Sequence, residues 1–190
     1  MRIGVLALQG DFREHINSIQ SLGHEALALR RADEFEGLDG LILPGGESTT
    51  IAKLARDLDL FELIQHRIQG GLPTYGSCAG MILLAASLDN AVENQESFGG
   101  IDITVRRNAF GRQVDSFEAE ISFASRQVQG VFIRAPWVSR VGDGVEVLAT
   151  YEDHVVAVRQ KNCLATSFHP ELTTDTGVHA YFLEEFCKAR

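Results

Sequence analysis

Cysteine is scarce in this sequence, and so is positive charge. Cys78, Cys163 and Cys187 are the three cysteines. Their number is odd, their spacings are wide and no C-x-x-C pair occurs, so neither a disulfide framework nor a zinc site is expected. Lys and Arg number 17 against 26 Asp and Glu, a net charge of −9. That balance argues against nucleic acid or an anionic membrane as partner. No apolar run is long enough to span a bilayer. Met1 to Gly10 is apolar but short, and it runs into Asp11 with no small-residue cleavage pattern. It predicts a first strand rather than a signal peptide. Repeats, low-complexity tracts and linkers are missing too. The expectation is one domain over residues 1–190 in a reducing, cytoplasmic setting.

What is present has the texture of an α/β domain. Ile3 to Leu8 is a near-continuous apolar run, as a strand covered on both faces requires. Phe12, Ile16, Ile19 and Leu22 follow at helical spacing from a start at Asp11, and Gly23 ends that helix. Ala26 to Leu29 and Asp39 to Leu43 are two further strands, the second stopped by Pro44-Gly45-Gly46. Ser48 or Thr49 is placed to cap the next helix, with Ile51, Leu54 and Leu58 inward. Phe61 to Ile68 continues helical. Beyond Asp89 short alternating segments take over: Ile101 to Val105, Phe117 to Phe123, Gly130 to Ile133, Val145 to Tyr151 and His154 to Val158. Cys163 to Phe168 is another buried strand, and a last helix is expected over Thr176 to Ala189. The pattern predicts a three-layer, doubly wound, mostly parallel sheet with helices on both faces and an antiparallel extension.

One stretch organises the chemistry. Leu72 to Ala86 predicts a strand, an abrupt turn and a helix, with Gly76, Cys78 and Gly80 at alternate positions around the turn. This is the glycine-x-nucleophile-x-glycine spacing of a nucleophile elbow, with cysteine as the nucleophile. The turn seats Cys78 at a helix N-terminus, whose partial positive charge favours thiolate. A cysteine nucleophile needs a base, and His169 follows the late apolar strand, locked by Pro170. Glu171 lies two residues on, where an extended chain would turn it the same way as His169 and let it steer the ring. Gly45-Gly46 and Ala79 can offer backbone N–H groups to an oxyanion, each typically worth about 10²–10³ in rate. Taken singly, each feature has a plainer explanation: a buried cysteine, a structural histidine, a solvated carboxylate, a tight turn. His15, His24, His66, His154 and His179 show no comparable context and are expected to be solvated or satisfied, and Cys163 and Cys187 to be core residues. Together the three turns place a site at the carboxyl ends of the strands.

The Pro-Gly-Gly-Glu-Ser turn, the Gly-x-Cys-x-Gly elbow and the His-Pro-Glu end resemble a class I (triad-type) glutamine amidotransferase over the whole chain. Within that family the chain is most similar to the glutaminase subunits of pyridoxal 5′-phosphate synthases. The specific markers are Arg107 to Glu118 and Gly130 to Pro136, together with Gly4 to Gly10, Leu43 to Thr50 and Ser167 to Leu172. Ser77 stands where threonine is more usual. The resemblance implies a flavodoxin-like fold and a Cys78–His169–Glu171 triad that hydrolyses L-glutamine through a glutamyl thioester. It implies an oxyanion hole at Gly46 and Ala79, and a glutamine site of Gly46, Glu47, Ser48, Arg107, Ile133 and Arg134. An arginine fork suits an α-carboxylate, and Glu47 suits an α-ammonium. No cofactor or metal is implied; pyridoxal phosphate would be the complex's product. The implied partner is a barrel-shaped synthase subunit in a dodecameric core, since nothing is left in 190 residues to accept ammonia. The alternatives are a glutaminase of the histidine-biosynthesis type, a cysteine peptidase on the same fold, and a non-catalytic regulatory module.

Overall fold

The computed structural model describes residues 1–89, 95–107, 109 and 116–187. The Arg107 to Glu118 marker therefore lies partly outside the described residues, as does the end of the last expected helix. In chain order the elements are β1 (Arg2–Leu6), α1 (Phe12–Ser21), β2 (Glu25–Leu29), β3 (Gly40–Leu43), α2 (Ser48–Asp57), α3 (Phe61–Gln69), β4 (Thr74–Ser77) and α4 (Ala79–Leu84). Then come β5 (Ala85–Asp89), β6 (Ile101–Arg106), β7 (Phe117–Phe123), β8 (Arg126–Phe132), β9 (Trp137–Val141), β10 (Glu146–Tyr151), β11 (His154–Gln160), β12 (Cys163–Thr166) and α5 (Gly177–Phe182).

Ten strands make one sheet in the order β2-β1-β3-β4-β12-β11-β9-β6-β5, with β10 added on β11. Strands β2, β1, β3, β4 and β12 run parallel to one another. This is the flavodoxin-like order, with β12 in the fifth place. The sheet then turns antiparallel through β11, β9 and β10. Successive side chains of a strand point to opposite faces, and β3 shows the result. Leu41 and Leu43 join one apolar core with residues of α2, α3 and α4, whereas Ile42 joins the other with residues of α1 and α5. Both cores are fully covered, which is why the parallel strands read as unbroken apolar runs. Burying each such Leu or Ile contributes about 1.5–3 kcal/mol.

The structure departs from expectation at particular places. β7 and β8 form a separate two-stranded sheet that packs on the α1/α5 side, rather than an extension of the main sheet. β5 and β9 were not expected as strands. Ala85 to Asp89 carries no β-branched residue, and pairing with β6 overrides its weak propensity. β9 has one buried residue at Val138 and exposed neighbours after it, so no alternation announces it. Leu58 is exposed, because α2 turns Ile51, Ala52 and Ala55 inward instead. Glu47, not Ser48 or Thr49, is the N-cap of α2, and Ser48 already lies in the first turn. The last helix breaks after Phe182 into a π-helical turn, Leu183–Cys187.

Candidate active site

The chain reverses at Cys78 with φ 47° and ψ −98°, a backbone region that non-glycine residues seldom occupy. The surroundings enforce it. A Cβ at Gly76 would lie 2.5 Å from the Gly80 carbonyl oxygen, and a Cβ at Gly80 would lie 2.2 Å from the Leu43 carbonyl oxygen. Only glycine fits at either position, so β3, β4 and α4 close on one another and the elbow forms between them. The Cys78 N–H donates to the Thr166 carbonyl at 2.8 Å, which ties the elbow to the end of β12.

β12 delivers the base. The His169 N–H donates to the Val131 carbonyl at 2.8 Å, and its ring nitrogen Nδ1 donates to Glu171 Oε1 at 2.8 Å. Asp11 Oδ2 lies 3.4 Å from the same nitrogen. Cys78 lines the same cleft as the ring and is electrostatically coupled to it. Glu171 reaches His169 from a 3₁₀ turn, Pro170–Leu172, and not from the extended chain that the sequence suggested. Burial opposes charge on His169, but electrostatic attraction to Cys78 and Glu171, together with the Asp11 carboxylate beside Nδ1, outweighs it and raises the imidazole well above its usual range. Burial likewise pushes Glu171 up, and its contacts with His15 and His169 reverse this, holding the carboxyl well below the usual range. Glu171 and His169 thus form a hydrogen-bonded pair beside Cys78 in which the imidazolium is the favoured form of the ring.

A cleft of about 380 Å³ opens over these residues. Gly46, Glu47, Ser48, Cys78, Arg107, Ile133, Arg134 and His169 line it, so every expected glutamine contact and two of the three triad members share one wall system. Glu171 is buried beneath His169, and Ala79 begins α4 behind the sulfur with 1% of its surface exposed. Glu47 is held on two sides: Arg107 Nη2 donates to its Oε1 at 3.0 Å, and Arg134 Nη2 stands 3.6 Å from its Oε2. Arg107 Nη1 also donates to Gln95 Oε1 at 2.5 Å, and Gln95 Nε2 donates to Ser48 Oγ at 3.0 Å. The cleft therefore carries two cations and an anion at distances that suit a zwitterionic amino acid.

The sequence did not single out Gln9, Asp11, Ile82 and Leu172, which line the same cleft. Gln9 Oε1 accepts the Glu47 N–H at 2.7 Å, and the Asp11 N–H donates to the Gly45 carbonyl at 3.1 Å. These two bonds hold the glycine turn against the end of β1. A Cβ at Gly45 would lie 2.2 Å from His169 Cε1, so the turn touches the His169 ring directly. His15 and His179, expected to be solvated or satisfied, are the latter: both are fully buried, His15 beside Glu171 and His179 bonded to His15. Asp11, His169 and Glu171 offer ligand atoms within 4.8 Å of one another. Their geometry is that of an imidazole bonded to carboxylates, with Nδ1 already engaged.

Comparisons with known proteins agree with this geometry. The chain matches the model of the SNO glutamine amidotransferase family over residues 5–188. It is 57% identical to a Mycobacterium avium protein named pyridoxal 5′-phosphate synthase subunit PdxT, over 96% of this chain and 95% of that one. A Nocardioides sp. protein of the same name is 56% identical over 96% of this chain and 94% of its own. A solved structure described as that of a glutamine amidotransferase superimposes with a TM-score of 0.91 at 50% identity, covering 97% of this chain and 98% of its own.

Proposed function

The chain belongs to the SNO glutamine amidotransferase family, and from that premise we propose that it hydrolyses L-glutamine and passes the ammonia to the synthase subunit of a pyridoxal 5′-phosphate synthase. The hydrogen-bonded pair of His169 and Glu171 beside Cys78, in a cleft lined by Glu47, Arg107 and Arg134, carries this reading. Residues 1–190 act as one glutaminase domain.

In the reaction the Cys78 sulfur attacks the side-chain amide carbon of glutamine. The carbonyl oxygen takes up the electron pair between the Gly46 and Ala79 amides, which form the oxyanion hole. His169 gives its proton to the leaving nitrogen as the C–N bond breaks, so ammonia departs and a glutamyl thioester remains. Water then adds to the thioester carbon, with neutral His169 taking its proton, and the C–S bond breaks to release glutamate. Glu171 fixes the ring and stabilises the imidazolium at each protonation. Arg107 and Arg134 receive the α-carboxylate, Glu47 the α-ammonium, and Gly46, Ser48 and Ile133 shape the rest of the pocket. The synthase subunit, a dodecameric core in the cytoplasm, docks over the cleft and keeps ammonia from protonating in bulk water.

The test is glutamate release from glutamine with and without the synthase subunit. The complex turns over, the chain alone is weak, and Cys78→Ala in the complex loses about 10⁴-fold or more. Retained activity in Cys78→Ala would refute the nucleophile. Hydrolysis of peptides but not of glutamine would move the chain to the peptidase reading.

A further inference from the structure

Behind the triad, away from the cleft, four elements bring polar side chains together in an otherwise apolar core. His15 comes from α1, Ser77 from the end of β4, Glu171 from the turn after β12, and His179 from α5. His15, Ser77 and His179 have no exposed surface and Glu171 has 4%. His15 Nδ1 lies 2.9 Å from His179 Nε2, and His15 Nε2 lies 3.0 Å from Ser77 Oγ and 3.4 Å from Glu171 Oε1. Ser77 Oγ is 3.3 Å from Glu171 Oε1. Such a cluster is costly to bury unless each bond is made in a consistent direction.

One direction satisfies the cluster. Glu171 Oε1 can only accept, so the Ser77 hydroxyl donates to it. The Ser77 oxygen then accepts, and its donor is the N–H at His15 Nε2. His179 Nδ1 has no partner among the described residues. Leaving a lone pair there is less costly than leaving an N–H, so the His179 hydrogen sits on Nε2 and donates to His15 Nδ1. Burial pushes His179 down to about 3, consistent with a neutral ring. Tyr75 seals the group, with its ring edge-on to both imidazoles at 5.9 Å.

We propose that His179, His15 and Ser77 are positioning residues: a one-way hydrogen-bond relay that fixes Glu171 Oε1 against His169 and keeps that carboxylate charged. This deepens the proposed glutaminase chemistry and rests on the triad assignment made there. Two donors converge on Oε1, namely His169 and Ser77, with His15 Nε2 3.4 Å away, while Oε2 has no partner among the described residues. The relay therefore decides which oxygen faces His169. It also gives Ser77 a role that threonine at this position would share through its hydroxyl.

The experiment compares Ser77→Ala, Ser77→Thr, His15→Leu and His15→Gln with the parent in the complex with synthase, across pH. The titratable groups that face the Glu171–His169 pair are Asp11 at the N-cap of α1, His15 from α1, Tyr75 and Cys78 from β4 and the elbow, and His179 from α5. Removing a donor weakens the charge on Glu171 and so destabilises the His169 imidazolium. Ser77→Ala and His15→Leu are expected to lower kcat about 10–100-fold with KM within about 3-fold. The alkaline limb of kcat/KM moves to lower pH. Ser77→Thr keeps the hydroxyl and His15→Gln keeps an N–H at the ε position, so each returns the limb toward the parent. A second readout needs neither glutamine nor partner: alkylation of Cys78 by iodoacetamide, followed by mass mapping. In Ser77→Ala the rate near pH 6, relative to that near pH 9, falls about 10-fold. If the parent complex hydrolyses no glutamine, the glutaminase reading fails while the alkylation profile still tests the relay. Variants that lose thermal stability yet keep the parent's limb and alkylation ratio would overturn the relay and leave a packing role. Parent-like kcat in Ser77→Ala would overturn it outright.

Discussion

The two halves of the cleft are built differently. Cys78, His169 and Glu171 stand at the ends of the parallel strands β4 and β12, and none exposes more than 7% of its surface. Glu47, Arg107 and Arg134 stand on connecting segments, with side chains exposed by 39%, 12% and 43%. The first half is fixed by close backbone approach at Gly76 and Gly80 and by buried hydrogen bonds. The second is held by ion pairs at the rim. Reaction geometry tolerates little displacement, whereas charge recognition tolerates more. The division predicts that damage to the first half appears in kcat and damage to the second in KM.

The sharpest test of that division is Glu171→Gln. The amide keeps the shape but carries no charge, and it cannot stabilise an imidazolium. A loss of about 10²–10⁴-fold in kcat is expected, with KM little changed. The pH profile gives an independent check. Burial works against it, but attraction to Cys78 and Glu171 raises His169 well above its usual value of 6.5, so the imidazolium persists to higher pH than in a free histidine. The alkaline limb of kcat/KM therefore lies well above pH 6.5. Neutralising residue 171 removes part of that support, so the limb moves to lower pH in Glu171→Gln. An unmoved limb would mean that Glu171 does not act on the ring.

Arg107→Met tests the other half. Arg107 is the more buried of the two arginines and donates to both Glu47 and Gln95. Removing its charge leaves Glu47 partly unpaired and takes away a carboxylate partner. KM for glutamine should rise about 10–100-fold while kcat falls less than about 3-fold. A fall confined to kcat would erase the division and place Arg107 with the reacting atoms.

How much of each half was legible in the sequence follows from the same physics. The parallel core and the elbow rest on local patterns: apolar runs, Gly76-x-Cys78-x-Gly80 spacing and the strand before His169. The sequence displays these directly. The arginines carry no local mark, and bottom-up reading alone would leave them as surface charge; only the family resemblance singled them out. β5 and β9 were missed because tertiary pairing, not propensity, makes them strands. His15 and His179 left a readable trace that local reading passed over. His15 falls on the apolar stripe of Phe12, Ile16 and Ile19, and His179 stands three and four residues before Phe182 and Leu183. A histidine on the buried stripe of an amphipathic helix must find a polar partner inside the core. Which partner it finds, across 164 positions for this pair, depends on the folded sheet.

The smallest effect distinguishes the halves by strain. Cys78 and Arg134 both hold left-handed backbone, at φ 47° and 48°. At Cys78 the strain presents the proposed nucleophile and cannot be relieved without losing the sulfur. At Arg134 it only carries a rim cation toward Glu47 at 3.6 Å. Arg134→Gly should therefore relax the backbone and leave the thermal midpoint unchanged or slightly raised, because relieved strain of about 1 kcal/mol is partly offset by glycine's greater freedom when unfolded. KM should rise only about 2–5-fold, the scale of an exposed ion pair, and kcat should hold. Glutamine titration of the rate alongside a melting curve measures both. A drop in kcat, or a destabilised fold, would show that the rim is as rigidly coupled to the chemistry as the elbow is, and the two-part description of the cleft would give way to a single preformed site.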